Sequence, residues 1–240
     1  MFLNTLPIIK SMQIVVLCGG KGTRLSEYTE EIPKPLIDVG PKPILWHLVQ
    51  MYKKFGHKDF IFCLGYKGNK IKDYFKNEKG VSIQFVDTGL ETNKAERIQK
   101  VKNLIKSDDF FVTYGDDLSD VDVNALYNFH KKNKKIVTLT AVKLESPFGI
   151  LELDKNEVVG FKEKPKLDYF MNGGFYVFNK KIFKYMKKGC DLEKDILRDL
   201  AKIKQVSAFR HNGFWKSMNT LKDVIELNEL YKKGQLKWLK

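Results

Sequence analysis

A segment near the start of the chain combines three glycines with an arginine. It reads Leu17-Cys18-Gly19-Gly20-Lys21-Gly22-Thr23-Arg24-Leu25 and follows an apolar run. Glycines let backbone N–H groups approach a phosphate chain closely, and an arginine can bind a pyrophosphate with parallel donors. The segment lacks the Gly-Lys-Ser/Thr of a Walker A loop and the third glycine of the dinucleotide fingerprint. The residue types in this segment are suited to phosphate binding, and a plain glycine-rich turn is the alternative.

Two further segments carry charges suited to phosphate chemistry. Lys34 lies between Pro33 and Pro35, which restrict the backbone, so we expect this lysine to be held as a point charge. Tyr114-Gly115-Asp116-Asp117 follows a second apolar run, and its carboxylates suit Mg²⁺, which binds one or two protein oxygens together with substrate phosphates. For Lys34, the alternative is a rigid loop with an exposed lysine. For Asp116 and Asp117, the alternative is an aspartate that caps a helix or forms a turn.

A fourth polar segment lies in the second half of the chain. Lys164 precedes Pro165 within Phe161-Lys162-Glu163-Lys164-Pro165, so the proline again restricts the lysine backbone. Asn172, in Met171-Asn172-Gly173-Gly174-Phe175, offers both a donor and an acceptor to a polar ligand.

The elements around these segments predict an α/β fold. Strands and helices alternate up to Pro147, which indicates a mainly parallel, doubly wound sheet whose ligands bind at the carboxyl ends of the strands. Short strands joined by turns follow, so we expect a smaller antiparallel elaboration within a single domain over 12–240, with 1–11 as an N-terminal extension. The predicted strands are 13–18, 59–64, 81–86, 110–114, 136–142, 149–153, 158–163 and 174–178, and the predicted helices are 43–55, 70–75, 95–106, 122–132 and 221–231.

The amino-acid composition argues against several classes of function. The net charge is +14, but it comes from 39 lysines and only 4 arginines, which indicates a solvated surface rather than a sequence-reading nucleic-acid face. No apolar run reaches the roughly 20 residues that a membrane span needs. The 3 cysteines are too few for a disulfide scaffold. We therefore expect a cytoplasmic protein with neither nucleic acid nor a membrane as its partner.

Taken in order over residues 12 to about 238, these segments resemble the sugar-1-phosphate nucleotidylyltransferases. Among them, the chain is most similar to glucose-1-phosphate cytidylyltransferases. The Gln-Pro-x-Gly-Leu-Ala segment of thymidylyl and uridylyl relatives is absent, which favours cytosine. The resemblance rests on Gly-Gly-x-Gly-Thr-Arg-Leu (19–25), Pro-Lys-Pro-Leu (33–36), Lys-Pro-Ile-Leu-Trp-His (42–47), Gly-Tyr-Lys-Gly (65–68), Val-Asp-Thr-Gly (86–89), Tyr-Gly-Asp (114–116), Glu-Lys-Pro (163–165), Asn-Gly-Gly-Phe (172–175) and Gly-Phe-Trp (213–215).

The resemblance implies a Rossmann-like nucleotidyltransferase fold, a homo-oligomer, Mg²⁺ as cofactor, and CTP and a small phosphorylated acceptor as partners. The implied catalytic residues are Arg24, Lys34 and Lys164. The implied nucleotide-binding residues are Leu17, Gly19, Gly20, Gly22, Thr23, Arg24, Lys34, Arg97, Tyr114, Gly115 and Asp116. The implied acceptor-binding residues are Glu163, Lys164, Asn172 and Gly173, and the implied metal ligands are Asp116 and Asn219.

The reaction implied by the resemblance is attack of an acceptor phosphate on the α-phosphorus of CTP. A phosphate monoester has a second pKa of about 6 and is mostly dianionic near neutral pH. It therefore needs no general base, but it does need charge neutralisation and in-line positioning. Lysines, an arginine and a bound cation supply both, and no serine, cysteine or histidine nucleophile is required.

Two departures from the family qualify these expectations. Asn219 stands where relatives carry the second metal-binding aspartate, so we expect weaker metal binding, with Asp117 as a second candidate ligand. The connection over 76–80 is shorter than in glucose-specific relatives. We therefore expect a non-sugar acceptor, such as the phosphorylated glutamine of phosphoramidate decoration in capsule synthesis, slightly ahead of glucose 1-phosphate. An alternative of another class is a non-catalytic, lysine-rich RNA-binding or regulatory module on this fold.

Overall fold

The computed structural model describes residues 11–239, without the side chains of Ser26, Glu27 and Leu144. The predicted N-terminal extension therefore lies almost wholly outside the described residues. Among residues 11–239, no helix is both long and apolar enough to cross a membrane.

Thirteen strands and seven α-helices are formed by these described residues. The strands are β1 (Gln13–Leu17), β2 (Asp38–Val39), β3 (Lys42–Pro43), β4 (Asp59–Leu64), β5 (Ser82–Asp87), β6 (Asp109–Tyr114), β7 (Asp117–Ser119), β8 (Val137–Glu145), β9 (Ile150–Asp154), β10 (Glu157–Lys162), β11 (Lys166–Asn179), β12 (Val206–His211) and β13 (Trp215–Ser217). The helices are α1 (Ser26–Thr29), α2 (Ile44–Lys54), α3 (Gly68–Phe75), α4 (Lys94–Lys100), α5 (Val123–Asn133), α6 (Arg198–Lys202) and α7 (Leu221–Lys232).

The central sheet has seven strands in the order β12-β8-β11-β6-β1-β4-β5. Four of its neighbouring pairs are parallel, and only β11 runs antiparallel to both of its neighbours. The three remaining sheets have two strands each: β2 with β3, β7 with β13, and β9 with β10. The predicted mainly parallel, doubly wound sheet with a small antiparallel elaboration is therefore confirmed.

Strand β1 lies at the centre of this arrangement, and all five of its residues are buried. Alternate side chains of a strand point to opposite faces of the sheet. Accordingly, Ile14 and Val16 pack against α2, α3, α5 and α7, whereas Val15 and Leu17 pack against α4, α6 and the π-helix Leu192–Leu197. Burial on both faces explains the continuous apolar run that predicted this strand.

The register of the central strands fixes where the polar loops meet. Leu17 pairs with Tyr114 on one side and with Cys63 on the other. The segments that follow these residues therefore leave the sheet at the same edge. One of them is the glycine-rich segment, and another carries Asp116 and Asp117.

Several elements differ from the sequence-based expectations. The predicted strand 174–178 is the end of the 14-residue β11, which continues through a register shift between Asn172 and Tyr176. Gly174 has a φ of +76° within that shift, so its glycine supports a bulge instead of starting a strand. The helix predicted over 95–106 ends at Lys100, because Lys102–Leu104 form a 3₁₀ turn.

Candidate active site

A cavity of about 470 Å³ opens at the carboxyl ends of β1 and β6. It is formed by loops that are distant in sequence, as the strand register requires. Its lining residues are Leu17, Cys18, Gly20, Gly22, Thr23, Arg24, Lys34, Pro35, Lys94, Tyr114, Asp116, Asp117, Asn172, Trp215, Ser217 and Asn219. Most of the residues expected to bind a nucleotide line this cavity. Asn172, expected to bind the acceptor, and Asn219, expected to bind the metal, line it as well.

The glycine-rich segment curves around one side of the cavity. Gly22 has a φ of +66°, which favours glycine, and its carbonyl accepts the N–H of Leu25 at 2.9 Å. Thr23–Leu25 form a short 3₁₀ turn, and buried Leu25 joins the core behind it. The turn thereby presents Thr23 and Arg24 to the cavity.

Arg97 lies behind this segment and is absent from the cavity lining. Its guanidinium donates to the carbonyls of Leu64 at 2.9 Å, Gly19 at 3.1 Å and Leu90 at 3.2 Å, and to Thr88 Oγ1 at 2.6 Å. Only 5% of the residue is exposed, and this burial lowers the pKa of its guanidinium. Arg97 was expected beside the nucleotide, and the structure places its guanidinium behind the glycine-rich segment, where it binds the Gly19 carbonyl and the backbone of neighbouring loops.

The same close packing explains why positions 19 and 65 are occupied by glycine. A Cβ on Gly19 would lie 2.2 Å from Arg97 Nη1, and a Cβ on Gly65 would lie 2.5 Å from the Gly19 carbonyl oxygen. Neither Gly19 nor Gly115 lines the cavity. Gly115 instead donates its N–H to the Leu17 carbonyl at 3.0 Å and so joins the two strand ends.

Lys34 connects two of the predicted metal ligands. It begins the 3₁₀ turn Lys34–Leu36, and its ammonium group forms an ion pair with Asp116. The same group donates to Asn219 Oδ1 at 3.0 Å. The Asn219 amide nitrogen in turn donates to Ser217 Oγ at 2.8 Å, which orients the amide so that its oxygen faces the lysine. Lys34, Asp116 and Asn219 thus meet at one point of the cavity wall.

The oxygens at this point fit Mg²⁺ by their chemistry. Carboxylate and amide oxygens are hard ligands, and Mg²⁺ takes few protein ligands because it keeps waters and substrate phosphates. Asp116 and Asn219 contact one ammonium group, so their oxygens are close enough to share one cation. Within the described range, no group of three or more His, Cys, Asp or Glu side chains forms a dedicated metal cluster.

Asp117 has a different environment from Asp116. It is 3% exposed, and burial, followed by the negative charge of Asp116, raises the pKa of Asp117 well above its ordinary value. A hydrogen bond with Ser217 and the charges of Lys34 and Lys94 act in the opposite direction. Asp117 is therefore more buried than Asp116, whose side chain is 23% exposed, and it stays the second candidate ligand for a cation.

Asn172 is held rigidly at the far wall of the cavity. Its amide donates to the Tyr176 hydroxyl, and its carbonyl accepts the N–H of Gly174 at 3.1 Å. The carbonyl of the neighbouring Gly173 accepts the indole N–H of Trp215 at 2.7 Å. Gly173 therefore contributes a backbone anchor for Trp215.

Glu163 and Lys164 lie outside this cavity. Their side chains are 60% and 52% exposed and form an ion pair at 3.2 Å. Lys164 lines a second cavity of about 740 Å³, which shares Trp215 with the first. Its φ of +44° is left-handed, although a following proline favours extended backbone. The backbone of Lys164 is therefore strained, and this strain is how the restriction expected from Pro165 is observed.

Two residues that line the cavity, Lys94 and Ser217, were not expected there from the sequence. Lys94 at the start of α4 forms an ion pair with Glu193 of the π-helix, and its ammonium lies 5.0 Å from the centre of the Tyr114 ring. The Tyr114 hydroxyl donates to the same Glu193 carboxylate. No local signal marks Lys94 among so many lysines, whereas Ser217 lies two residues after the Gly-Phe-Trp segment, to which the cavity residue Trp215 belongs.

The amino-acid sequence matches the profile of the family described as Nucleotidyl transferase over residues 13–234. The chain belongs to this nucleotidyl transferase family. The glucose-1-phosphate cytidylyltransferases of Salmonella typhi and Salmonella typhimurium are similar to this nucleotidyltransferase, each with 40% identity over 253 residues, which covers 95% of this chain and 98% of theirs. That span exceeds the 240 residues of this nucleotidyltransferase, so the relatives contain residues that it lacks.

Solved structures agree with the fold of this nucleotidyltransferase. HddC from Yersinia pseudotuberculosis has a TM-score of 0.73 and 23% identity, with 92% of this chain and 99% of that chain covered. At this identity the likeness concerns the fold alone. The family and the fold together establish a nucleotidyltransferase, and the cavity at the strand ends is its candidate active site.

Proposed function

We propose that this nucleotidyltransferase transfers CMP from CTP to a small phosphorylated acceptor and releases pyrophosphate. The observation that carries this proposal is the convergence of Lys34, Asp116 and Asn219 beside the glycine-rich segment. Cytosine as the base is supported by the similarity to the two Salmonella cytidylyltransferases. Family membership favours this enzyme over a non-catalytic RNA-binding or regulatory module.

The proposed step needs no proton transfer. An oxygen of the acceptor phosphate attacks the α-phosphorus, a new P–O bond forms, and the bond to the bridging β-phosphate oxygen breaks. Thr23, Arg24 and the backbone of Gly20 and Gly22 face the cavity in which the triphosphate would lie. Lys34 places its positive charge where charge develops during the reaction, which is how such enzymes lower the barrier.

A bound Mg²⁺ would neutralise phosphate charge in this step. Asp116 and Asn219 would hold it. Because Asn219 brings no negative charge, most of the protein's electrostatic attraction for the cation would come from Asp116.

Glucose 1-phosphate is the acceptor that the relatives support, with CDP-glucose as the product. A phosphorylated non-sugar, such as phosphorylated glutamine in a phosphoramidate pathway, is a second candidate. The sequence placed this acceptor slightly ahead of glucose 1-phosphate because the connection between Phe75, where α3 ends, and Ser82, where β5 begins, is short. The relatives do not support that preference, so glucose 1-phosphate is proposed first. In either case the product fits precursor synthesis for a capsule or another surface polysaccharide.

The proposed place of action is the cytoplasm. CTP is made and consumed there, and the three cysteines are free thiols, as expected in a reducing compartment. Cys18 and Cys63 are buried in the core. Burial raises the pKa of the Cys63 thiol to about 12, so the thiol is the stable form.

The decisive experiment measures pyrophosphate release with each of CTP, UTP and dTTP, combined with glucose 1-phosphate, phosphorylated glutamine and other phosphate monoesters. We expect turnover only with CTP, and mass spectrometry then identifies the product. Turnover with glucose 1-phosphate alone confirms CDP-glucose synthesis and rejects the second candidate. Absence of turnover with every pair, together with salt-sensitive RNA binding, contradicts the proposed activity.

Lys164 provides a separate test of the acceptor side. With Lys164→Gln we expect the KM for the acceptor to rise while the KM for CTP changes little, because Lys164 lines the second cavity and not the first. Lys155→Gln at the nearby β9–β10 turn is the matched control. An equal rise in both KM values would place Lys164 at the nucleotide instead.

A further inference from the structure

Two tyrosine hydroxyls join Asn172 to a carboxylate that no sequence motif marked. The Asn172 amide nitrogen donates to the Tyr176 hydroxyl, which lies 2.9 Å from the Tyr114 hydroxyl. Tyr114 in turn contacts an oxygen of Glu193 at 2.5 Å. These side chains come from β11, β6 and the π-helix Leu192–Leu197, and together they form one unbroken chain of hydrogen bonds.

Both ends of this chain have a fixed hydrogen-bonding role. The N–H of Gly174 can only donate and lies 3.1 Å from the Asn172 side chain, so the amide oxygen faces it and the amide nitrogen faces Tyr176. At the other end, the Glu193 carboxylate forms an ion pair with Lys94 at 2.5 Å, and a carboxylate can only accept. The two tyrosines in between are therefore left with one possible order of donation.

Each tyrosine hydroxyl has a single proton, so the direction of every bond in the chain follows. Tyr114 donates its proton to Glu193 and accepts from Tyr176. Tyr176 donates to Tyr114 and accepts from Asn172. Burial raises the pKa of both tyrosine hydroxyls, so these protons stay in place near neutral pH. The chain thus runs in one direction, from the Asn172 amide to the Glu193 carboxylate.

The elements that carry the chain hold it in place. Tyr176 is fully buried in the core. Glu193 lies in the first turn of the π-helix, where the Asp191 side chain accepts the N–H of Glu193 at 3.0 Å and that of Lys194 at 2.8 Å. Buried Leu192 anchors the same turn. Helical turns of this kind are rare and often adjoin functional sites. Glu193 therefore stands on an element that is anchored in the core.

The other end of the chain reaches the cavity. Asn172 lines the first cavity, and its second amide N–H has no protein partner within residues 11–239. An asparagine that can turn over offers a ligand either its oxygen or its nitrogen at the same place. Here the nitrogen is held toward Tyr176, so its second N–H is held as well. Asn172 therefore presents a preorganised donor, which rejects ligands that cannot accept it.

We propose that Glu193 is a positioning residue for the acceptor, because it fixes the Asn172 amide through Tyr114 and Tyr176 so that a hydrogen-bond donor always faces the acceptor. The acceptors that this donor favours carry an oxygen that can accept the N–H. The inference rests on the proposed function, in which Asn172 binds the acceptor. Glu193 itself touches neither substrate and acts only through the two tyrosines.

Two replacements of Glu193 separate the hydrogen-bond chain from the ion pair with Lys94. E193L removes the group that accepts the Tyr114 proton, whereas E193Q removes the charge but keeps an oxygen that can accept it. Kinetics use the acceptor that supports pyrophosphate release, beginning with glucose 1-phosphate. We expect E193L to raise the KM for the acceptor about two- to tenfold, the effect of weakening one hydrogen bond, and E193Q to stay near wild type.

The comparison of the two variants decides between the chain and the charge. Both variants release Lys94 equally, so their KM values for CTP should agree within about twofold. Equal rises of the acceptor KM in E193L and E193Q would show that only the charge of Glu193 matters and would overturn the proposal.

A double variant and a matched control sharpen this test. Y176F breaks the chain next to Asn172, so E193L/Y176F should have the same acceptor KM as Y176F alone, and additive effects contradict a shared chain. Glu96 on α4 accepts the N–H of Gly189 at 3.2 Å, just before the π-helix, and its hydrogen bonds do not involve the tyrosines. E96L should therefore leave the acceptor KM unchanged.

The side-chain amide signals of Asn172 in an NMR spectrum of the full chain give a readout that needs neither turnover nor ligand. The signals missing from N172D identify them. They should shift in E193L and in Y114F, as in Y176F, and stay near wild type in E193Q and E96L. Y114F keeps the Glu193 ion pair, so it decides the question even when E193L fails to fold.

The two readouts fail in different ways. Unmoved Asn172 signals in folded Y114F overturn the proposal whether or not the protein turns over. Shifted signals without turnover for any acceptor contradict the proposed function, and the positioning role for the acceptor is overturned with it. Shifted signals together with a raised acceptor KM in E193L, but not in E193Q, support both.

Discussion

The ammonium group of Lys34 donates a hydrogen bond to Asn219 Oδ1 at 3.0 Å, although 185 residues separate the two in the chain. The same ammonium pairs with Asp116, so one lysine holds both oxygen-bearing side chains at the cavity wall. The lysine is only 12% exposed in its side chain, which strengthens its charge interactions relative to those at the surface. The cavity wall around Lys34 is therefore organised before any ligand arrives.

Asn219→Asp should lower the Mg²⁺ concentration needed for half-maximal turnover while retaining or raising activity at low Mg²⁺. The added carboxylate supplies the negative charge that the carboxamide lacks at this point. Turnover measured across a Mg²⁺ titration checks the prediction. Asn156→Asp, at the exposed β9–β10 turn, adds the same charge elsewhere and should leave the titration unchanged. Loss of activity at all Mg²⁺ concentrations in the Asn219 variant would show that position 219 is not a ligand position.

Lys34→Gln should reduce kcat by on the order of 10²–10³ with little loss of stability, which is the effect of removing one preorganised donor from a developing charge. Steady-state kinetics and thermal melting provide the two readouts. Lys21→Gln is the matched control, since Lys21 lies in the glycine-rich segment but pairs with Glu91 at the surface. A Lys34 variant with near wild-type kcat would rule out a role for this charge in the chemical step.

Arg97→Lys should lower the free energy of unfolding by about 1–3 kcal/mol, since a lysine cannot reproduce four hydrogen bonds and leaves buried carbonyls unpaired. The KM for CTP should rise as well, because the Gly19 carbonyl loses its anchor. Urea unfolding and CTP kinetics measure the two effects. Arg198→Lys, at an exposed site, should change neither. Wild-type stability with a raised KM would instead indicate direct contact between Arg97 and the nucleotide.

Asp109→Asn should destabilise the protein at pH 7 by about 1–3 kcal/mol, and the difference should shrink in acid. Burial alone would raise the pKa of Asp109, but hydrogen bonds from His130, Asn179 and Lys131 outweigh it and hold this pKa well below its ordinary value. The stabilisation is therefore present above about pH 4, the ordinary aspartate pKa, and is lost as the pH falls toward the lowered pKa.

Thermal melting of both proteins at pH 7, 4 and 3 tests this dependence. Asp199→Asn is the control, because the Asp199 ion pairs are exposed and screened by solvent. A melting difference that is constant over this pH range would show that the Asp109 carboxylate charge plays no part.

Much of the fold was predictable because buried strands and helices show regular patterns of apolar residues in the sequence. Strand β4 matches its predicted bounds, since Asp59–Leu64 is an apolar run closed by a glycine. Strand β12 was missed because Val206–His211 lies at a sheet edge and alternates weakly between covered and exposed residues. The two-residue and three-residue strands were missed because pairings so short have no period of their own.

The candidate site was likewise predictable in part. Residues next to strand ends, such as Asp116, could be placed in one cavity because parallel strands bring their carboxyl ends to one edge. The direction of a long side chain could not be placed, since it depends on tertiary packing. Arg97 therefore turned inward to backbone carbonyls, and Lys94 reached the cavity without any motif to mark it.

Strand β11 also has a consequence for how this enzyme can diversify. Its carboxyl half, from Phe175 onward, lies between β6 and β8, and its amino half pairs with β8 alone. Asn172 stands at the boundary between the two halves. Replacements upstream of this boundary fall on mostly exposed positions and can reshape the proposed acceptor side without disturbing the core, while replacements downstream fall on buried positions and should destabilise the sheet. Acceptor preference and folding stability can therefore change separately over generations, although both depend on one continuous strand.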